Sequence, residues 1–142
     1  MAGATKSVDI NAPIEKVYAI VVDYEKYPEF LDEQTGAKVL SRNGNIVEVS
    51  FKLKVVKEIE YKLRLVETAP TELSWTLIKG EMMKVNNGGW KLEALGADKT
   101  RATYSVELGL GMLVPKSIAT LLAETTLPKT LDAFKRRAEA AK

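Results

Sequence analysis

Apolar and polar residues alternate with a period of two through most of the middle of the chain. The alternation is clearest at 47–55 and 58–65, where Val, Ile, Leu and aromatic residues face Glu, Ser, Lys and Arg. Further alternating runs lie at Lys6–Ile10, Ala37–Leu40, Leu73–Leu77, Met83–Leu92 and Ala102–Leu110. Because no helical pattern separates the strands after residue 35, we expect an antiparallel sheet of about seven strands with one dry face.

Turn residues mark the connections between these strands. Asn43-Gly44 is the strongest short hairpin signal, and Ala69-Pro70 and Lys79-Gly80 predict two further turns. The apolar positions change from odd to even numbers across Asn87-Gly88-Gly89. An inserted residue has this effect, so we predict a bulge or sharp bend at the glycines.

Helical patterns flank the sheet in sequence. Residues 13–22 carry apolar groups on one helical face after Asn11, the expected N-cap. A second short turn at 23–26 is expected to stop before Pro28, because a residue that precedes proline avoids the α conformation.

The C-terminal tail predicts a long amphipathic helix from Pro115 to the end, kinked at Pro128. The predicted order is one strand, two helices, six strands and one helix. It indicates an α+β fold in a single domain, 1–142, whose curved sheet wraps around the C-terminal helix.

Composition removes most familiar chemistries. The 142 residues include no Cys and no His, which excludes disulfides, thiolate nucleophiles, imidazole catalysis and the usual zinc sites. We expect no metal and no cofactor. Lys and Arg total 21 against 19 Asp and Glu, a charge of +2 that does not predict DNA binding. Without an apolar signal peptide or a spanning helix, the expected location is the cytoplasm.

One helix cannot fill the concave face of a seven-stranded sheet, so large side chains or a cavity must occupy the space. The inward positions predict a ligand-binding lining of Phe51, Tyr61, Trp75, Val85, Asn87, Trp90, Tyr104 and Val106 from the sheet, with Ile118, Leu122 and Phe134 from the helix. Simple core packing is the alternative for every one of them. The Tyr and Trp side chains combine an apolar body with a polar tip that can orient a carbonyl or hydroxyl.

Asn87 is the amide that the alternation directs inward, where it can donate to a ketone or quinone oxygen; alternatively it bonds local backbone at the bulge. No Asp, Glu, Lys or Arg falls at an inward position of the predicted strands. Arg64, Arg101 and Glu107 have the opposite parity, typical of a solvated face. Only the tyrosines are left to move protons, which favours binding over catalysis.

Three stretches, together with the order of elements, resemble a known superfamily. They are Val8-Asp9-Ile10-Asn11-Ala12-Pro13, the segment VVDYEKYPEFL at 21–31, and Gly89-Trp90-Lys91-Leu92. They resemble START-like proteins, and most of all the polyketide cyclase/dehydrase and lipid transport group, which includes coenzyme Q-binding proteins and ribosome-association toxins. The resemblance implies a helix-grip fold around a pocket for hydrophobic molecules, and it carries over no catalytic residue.

The function that the sequence favours is non-catalytic binding or transport of an isoprenoid quinone, a lipid or a polyketide-like aromatic. An aromatic polyketide cyclase/dehydrase is the alternative, with Tyr61 or Tyr104 assisting proton transfer. A further alternative is contact with the ribosome through the basic tail that contains Arg136 and Arg137.

Apolar residues cluster where the resemblance puts the pocket mouth. They are Met82, Met83, Leu110, Met112, Leu113 and Val114. Such a cluster either touches a membrane surface and gates the entry of a ligand, or closes the end of the cavity.

Overall fold

The computed structural model describes residues 2–31, 34–54, 58–80, 83–110 and 127–140. Within these ranges seven strands form one antiparallel sheet in the order β1-β7-β6-β5-β4-β3-β2. The elements are β1 (Ala2–Ile10), α1 (Ile14–Val21), a 3-10 helix (Tyr24–Glu29), β2 (Gln34–Asn43), β3 (Ile46–Lys54), β4 (Glu58–Thr68), β5 (Glu72–Gly80), β6 (Met83–Gly96), β7 (Lys99–Leu110) and α2 (Leu127–Ala140). The predicted α+β class and number of strands are confirmed.

Strands β3 and β4 form the part of the sheet that follows the alternation most closely. Phe51 pairs with Tyr61, and the next inward pair is Val49 with Leu63. All four side chains are buried, as the pattern predicted. The hairpin before them turns at Gly44, whose φ of 62° suits a residue without a Cβ.

Two details of the N-terminal helices differ from expectation. Asn11 is not the N-cap of α1, because the helix begins at Ile14 with Pro13 in the capping position. The backbone N–H of Asn11 instead donates to the Glu139 carboxylate of α2 at 2.9 Å. The 3-10 helix includes Pro28 and runs to Glu29. Its i to i+3 pattern differs from the α conformation that a following proline disfavours.

The bulges of the sheet lie away from the predicted glycines. In the described ranges an extra residue stands at Thr35 and Leu40 in β2, at Ile78 in β5, and at Lys84 and Leu95 in β6. At Gly88 the reason for glycine is close approach. An added Cβ would lie 2.3 Å from the Ser105 carbonyl oxygen.

The described part of the C-terminal helix packs its apolar stripe onto the rest of the chain. Leu131, Phe134 and Ala138 are buried there. Pro128 lies in the first turn of α2; residues 115–126 of the predicted helix, and with them the predicted kink, lie outside the described residues. None of the helices in the described ranges is long and apolar enough to cross a membrane.

Candidate functional site

A row of aromatic rings begins on β3 and β4 at the inner face of the sheet. Phe51 stacks on Tyr61 with ring centroids 5.6 Å apart, and on Tyr27 of the 3-10 helix at 5.8 Å. The Tyr27 hydroxyl donates to the backbone carbonyl of Val21, which ties the 3-10 helix to α1. This part of the inner face is therefore rigid and apolar, with the Tyr61 hydroxyl as its polar tip.

The row continues across the sheet through α2. Phe134 meets the Trp90 ring edge-on at a centroid distance of 4.9 Å, and Trp90 meets Tyr104 at 4.8 Å. Tyr104 in turn contacts Trp75 at 5.6 Å. The first two pairs are edge-to-face and add stabilisation beyond buried area, whereas the Trp75 and Tyr104 rings are tilted at 41°. Together these contacts fix the orientation of both tryptophans and of the tyrosine hydroxyl between them.

Gln34 supplies a polar group beside Tyr61 that the sequence analysis missed. Its Nε2 donates to the Tyr61 hydroxyl oxygen at 3.1 Å. The bulge at Thr35 makes this contact, because it pairs Gln34 with Leu53 on the inward parity of β3. Strict alternation from Ala37 would have directed Thr35 inward, so the sequence alone did not signal the amide.

The hydroxyls of Tyr61 and Tyr104 act as neutral donors at this face. Burial raises the pKa of Tyr61 to about 12, partly offset by the hydrogen bond from Gln34. Burial also raises the pKa of Tyr104, and the nearby Tyr61 hydroxyl adds to the rise. No described residue lies within hydrogen-bond geometry of the Tyr104 hydroxyl. Both groups keep their protons at neutral pH and can donate hydrogen bonds.

Asn86, rather than Asn87, is the inward amide of β6. Asn86 is buried and accepts a hydrogen bond from the Trp75 indole nitrogen at 3.0 Å, whereas Asn87 is exposed. The bulge at Lys84 is the cause, since it falls before both asparagines. The prediction that Val85 faces inward is also wrong. Val85 pairs with Gly109, on the parity opposite to Asn86.

The inner face thus holds a group of polar side chains that we name the amide site. It consists of Gln34, Tyr61, Trp75, Asn86 and Tyr104. Its two amides lie beside bulges, at Thr35 and Lys84, whereas Tyr61, Trp75 and Tyr104 lie in regularly paired stretches of β4, β5 and β7. Gly88 lets the Trp75 ring lie close under β6, since a Cβ there would be 2.8 Å from the ring.

The remaining predicted lining residues divide into two groups. Phe51, Trp90 and Phe134 are buried against the amide site, and Val106 is half-buried. Ile118 and Leu122 lie outside the described residues, and so do Met82, Met112, Leu113 and Val114 of the predicted pocket mouth. The structure also does not describe the side chains of Met83 and Leu110. The role of these residues as a ligand lining stays a prediction.

One carboxylate shares the inward parity, contrary to prediction. Strand β4 runs to Thr68, three residues further than its pattern indicated, and carries Glu67 on the side of Tyr61. Glu67 accepts hydrogen bonds from the Tyr24 hydroxyl at 2.7 Å and from Arg42 at 2.9 Å. The buried Tyr18 hydroxyl lies close enough for the Glu67 charge to raise its pKa, after burial itself.

Tyr18, Tyr24, Arg42 and Glu67 form what we name the glutamate cluster. Glu67 lies six positions after Tyr61 in β4, which is about 20 Å along a strand. The cluster is thus remote from the amide site. Among the described residues no group of three or more acidic side chains is placed to hold a metal ion.

The solvated face follows the prediction. Arg64, Arg101 and Glu107 are exposed. Arg101 pairs with Asp9 at 3.0 Å and holds the pKa of that carboxyl below its ordinary value.

The basic tail pairs with acids of the same chain. Arg137 bonds Glu29 at 2.9 Å and lies 5.1 Å from the Phe30 ring centroid, while Arg136 bonds Asp132. A groove of about 570 Å³ lies between the end of the 3-10 helix and α2 at this place.

The sequence and the structure both have recognisable relatives. Residues 10–135 match the model of the family described as polyketide cyclase/dehydrase and lipid transport. None of the curated proteins matches the sequence significantly.

Solved structures share the fold at low sequence identity. A START superfamily protein from Mycobacterium smegmatis is 21% identical with a TM-score of 0.88, over 99% of both chains. The Zhui aromatase/cyclase from Streptomyces sp. R1128 is 15% identical with a TM-score of 0.87, over 97% of this chain and 93% of that one. A STAR-related lipid transfer protein from Xanthomonas axonopodis is 14% identical with a TM-score of 0.73, over 96% and 85%. The START-like helix-grip fold is confirmed.

Proposed function

The chain belongs to the polyketide cyclase/dehydrase and lipid transport family, and on this premise we propose that it binds a hydrophobic small molecule at the amide site without transforming it. The ligand classes are those that the sequence favoured: an isoprenoid quinone, a lipid or a polyketide-like aromatic. The observation that carries the proposal is the aromatic inner wall with the hydroxyls of Tyr61 and Tyr104 held as neutral donors.

Apolar rings supply the affinity and polar tips supply the orientation in sites of this kind. Phe51, Trp90 and Phe134 offer ring surface, and the Tyr104 hydroxyl has no partner among the described residues. A ligand oxygen that accepts from Tyr104 would give this partly buried hydroxyl a hydrogen-bond partner. Such a contact fixes the direction in which an otherwise apolar molecule lies.

Catalysis as a cyclase or dehydrase is the competing proposal, supported by the likeness to a structure titled aromatase/cyclase. It needs a group that accepts a proton. With a pKa of about 12, only about one Tyr61 in 10⁵ is ionised at pH 7. Glu67 is the inward carboxylate among the described residues, and it already accepts from Tyr24 and Arg42. Both facts favour binding.

The test begins with native mass spectrometry of the purified protein and extraction of any bound molecule. Binding of a short-chain ubiquinone, oleic acid and 1-naphthol is then followed by tryptophan fluorescence. Both tryptophans of the chain, Trp75 and Trp90, lie on the inner face, so a bound ligand should alter their emission.

The variant Tyr104→Phe should weaken binding of the preferred probe by about 2- to 10-fold, the share of one neutral hydrogen bond. Tyr24→Phe is the matched control, because it removes a hydroxyl of the glutamate cluster and should leave affinity unchanged. No extracted molecule and no binding of any probe would contradict the proposal. Turnover of an aromatic polyketide mimic that Tyr104→Phe abolishes would establish the cyclase instead.

A further inference from the structure

A buried acceptor in the amide site has no donor. The Gln34 side chain donates one Nε2 hydrogen to the Tyr61 hydroxyl oxygen, but its Oε1 is buried and receives no hydrogen bond from the described residues. A buried polar atom without a partner costs free energy, so native proteins rarely keep one without a reason. A bound molecule that donates to it is such a reason.

The neighbouring groups define what that molecule must offer. Because Tyr61 accepts from Gln34, its own hydroxyl hydrogen is free to be donated. Within the few ångströms spanned by one amide group, the site therefore presents an acceptor, Gln34 Oε1, beside a donor, the Tyr61 hydroxyl. A ligand that satisfies both must carry a donor and an acceptor close together.

A bulge in β2 places Gln34 beside Tyr61, at the cost of an interruption in strand pairing. The bulge at Thr35 interrupts the pairing of β2 with β3 between Gln34 opposite Leu53 and Gly36 opposite Lys52. Bulges of this kind redirect a side chain, and they are over-represented beside functional sites. The bulge therefore directs the Gln34 side chain to the inner face, beside Tyr61.

We propose that the amide site selects a hydrophobic ligand that carries a hydroxyl donor, such as a phenol, an enol or a hydroquinone, over one that offers acceptors alone, such as a quinone or an ether. This inference rests on the proposed function and narrows its ligand class. Gln34 is the specificity-determining residue, and Tyr61 is the donor that completes the pair.

The experiment compares two probes that differ by one donor. 1-Naphthol carries a hydroxyl, and 1-methoxynaphthalene keeps the ring and the oxygen but has no hydrogen to donate. Calorimetric titration of the intact protein should give about tenfold tighter binding of 1-naphthol. Gln34→Leu should reduce this ratio to one or below. Gln34→Glu keeps an acceptor and should keep the preference.

Controls separate selectivity from folding and from binding itself. Thr35→Val alters the next residue, whose hydroxyl bonds Glu58 on the exposed side, and should leave the ratio unchanged. Circular dichroism establishes that each variant is folded, and if Gln34→Leu is not, the Gln34→Glu result and the wild-type ratio still decide.

The outcomes are distinct. Equal affinities, or tighter binding of the methyl ether, would overturn the selectivity while leaving the proposed function standing. The ether preference is also the result expected if the amide were reversed, with Nε2 as the unpaired group. A preference that persists in Gln34→Leu would overturn the role of Gln34. If neither probe nor any other hydrophobic ligand binds, the proposed function fails and this inference with it.

Discussion

The glutamate cluster and the amide site lie on the same face of β4, and each places a tyrosine hydroxyl beside a polar partner. In the cluster, Tyr24 donates to a carboxylate whose charge Arg42 balances. In the amide site, Tyr61 receives from an uncharged amide whose oxygen is left without a donor. The Glu67 carboxylate is thus paired within the chain, whereas the Gln34 oxygen still lacks a donor. The comparison therefore assigns stability to the cluster and recognition to the amide site.

The largest effect that separates the two regions should come from Glu67→Leu. The substitution leaves the Tyr24 hydroxyl buried without an acceptor and frees Arg42, which is half exposed and can turn to water. We expect a loss of about 2 to 3 kcal/mol in the free energy of unfolding, measured by urea denaturation. Affinity for the preferred ligand should not change. A large loss of affinity in a folded variant would merge the two regions into one site.

Glu48→Leu is the matched control for that loss. Glu48 of β3 pairs with Arg64 of β4 at 3.4 Å on the outer face of the sheet. Both side chains are substantially exposed. Exposed pairs contribute little, so the change should stay below about 1 kcal/mol. A similar loss of unfolding free energy in both variants would mean that Glu67 stabilises the fold no more than a residue of an exposed ion pair does.

The two regions also differ in how far the sequence predicted them. The sequence correctly predicted the inner-face aromatic residues, because successive side chains of a regular strand point to opposite faces. They are Phe51, Tyr61, Trp75 and Trp90. The inward positions of Gln34 and Asn86 were not predicted. Each depends on a bulge, at Thr35 and at Lys84, and one inserted residue reverses every later assignment of face.

The glutamate cluster was missed for a different reason. Alternation in β4 ends at Leu65, because Val66 and Glu67 break the pattern, so the strand was expected to stop there. The structure continues it to Thr68, with Val66 opposite Ile46. Pairing with a neighbouring strand decides whether a strand continues past the end of its own pattern. The sequence of one strand alone does not reveal that pairing. Fold class, by contrast, needs only the order and number of elements.

Alkaline titration should sharpen the comparison with an effect of intermediate size. The pKa of Tyr61 is raised to about 12 by burial, above the ordinary value of 10 that it regains on unfolding. Its contribution to stability is complete below pH 10 and is lost as the pH rises towards 12. The loss should be on the order of 1 kcal/mol at pH 11. Tyr61→Phe should remove that share of the pH dependence.

The order of ionisation is a second result of the same titration. In the cluster, burial together with the Glu67 carboxylate raises the pKa of Tyr24 beyond that of Tyr61. Of these two tyrosines, Tyr61 should therefore ionise at the lower pH in the folded protein, and Tyr61→Phe should remove a phenolate signal that Tyr24→Phe leaves in place. Early ionisation of Tyr24 would contradict the paired character of the cluster.

The smallest effect concerns the Tyr18 hydroxyl, which is buried without a hydrogen bond of good geometry; burial raises its pKa, and the nearby Thr68 backbone offsets part of that rise. It belongs to the cluster, where the acceptor lone pairs of Glu67 are already directed at Tyr24 and Arg42, so it is a leftover of packing rather than a place for a ligand. Removing an unsatisfied buried hydroxyl while keeping the ring relieves a desolvation cost. Tyr18→Phe should leave stability unchanged or raise it by up to about 1 kcal/mol in urea denaturation, with ligand selectivity intact. If Tyr18→Phe instead altered the ratio between 1-naphthol and its methyl ether, as Gln34→Leu should, the unpaired atoms of the two regions would be equivalent and the distinction between them would fall.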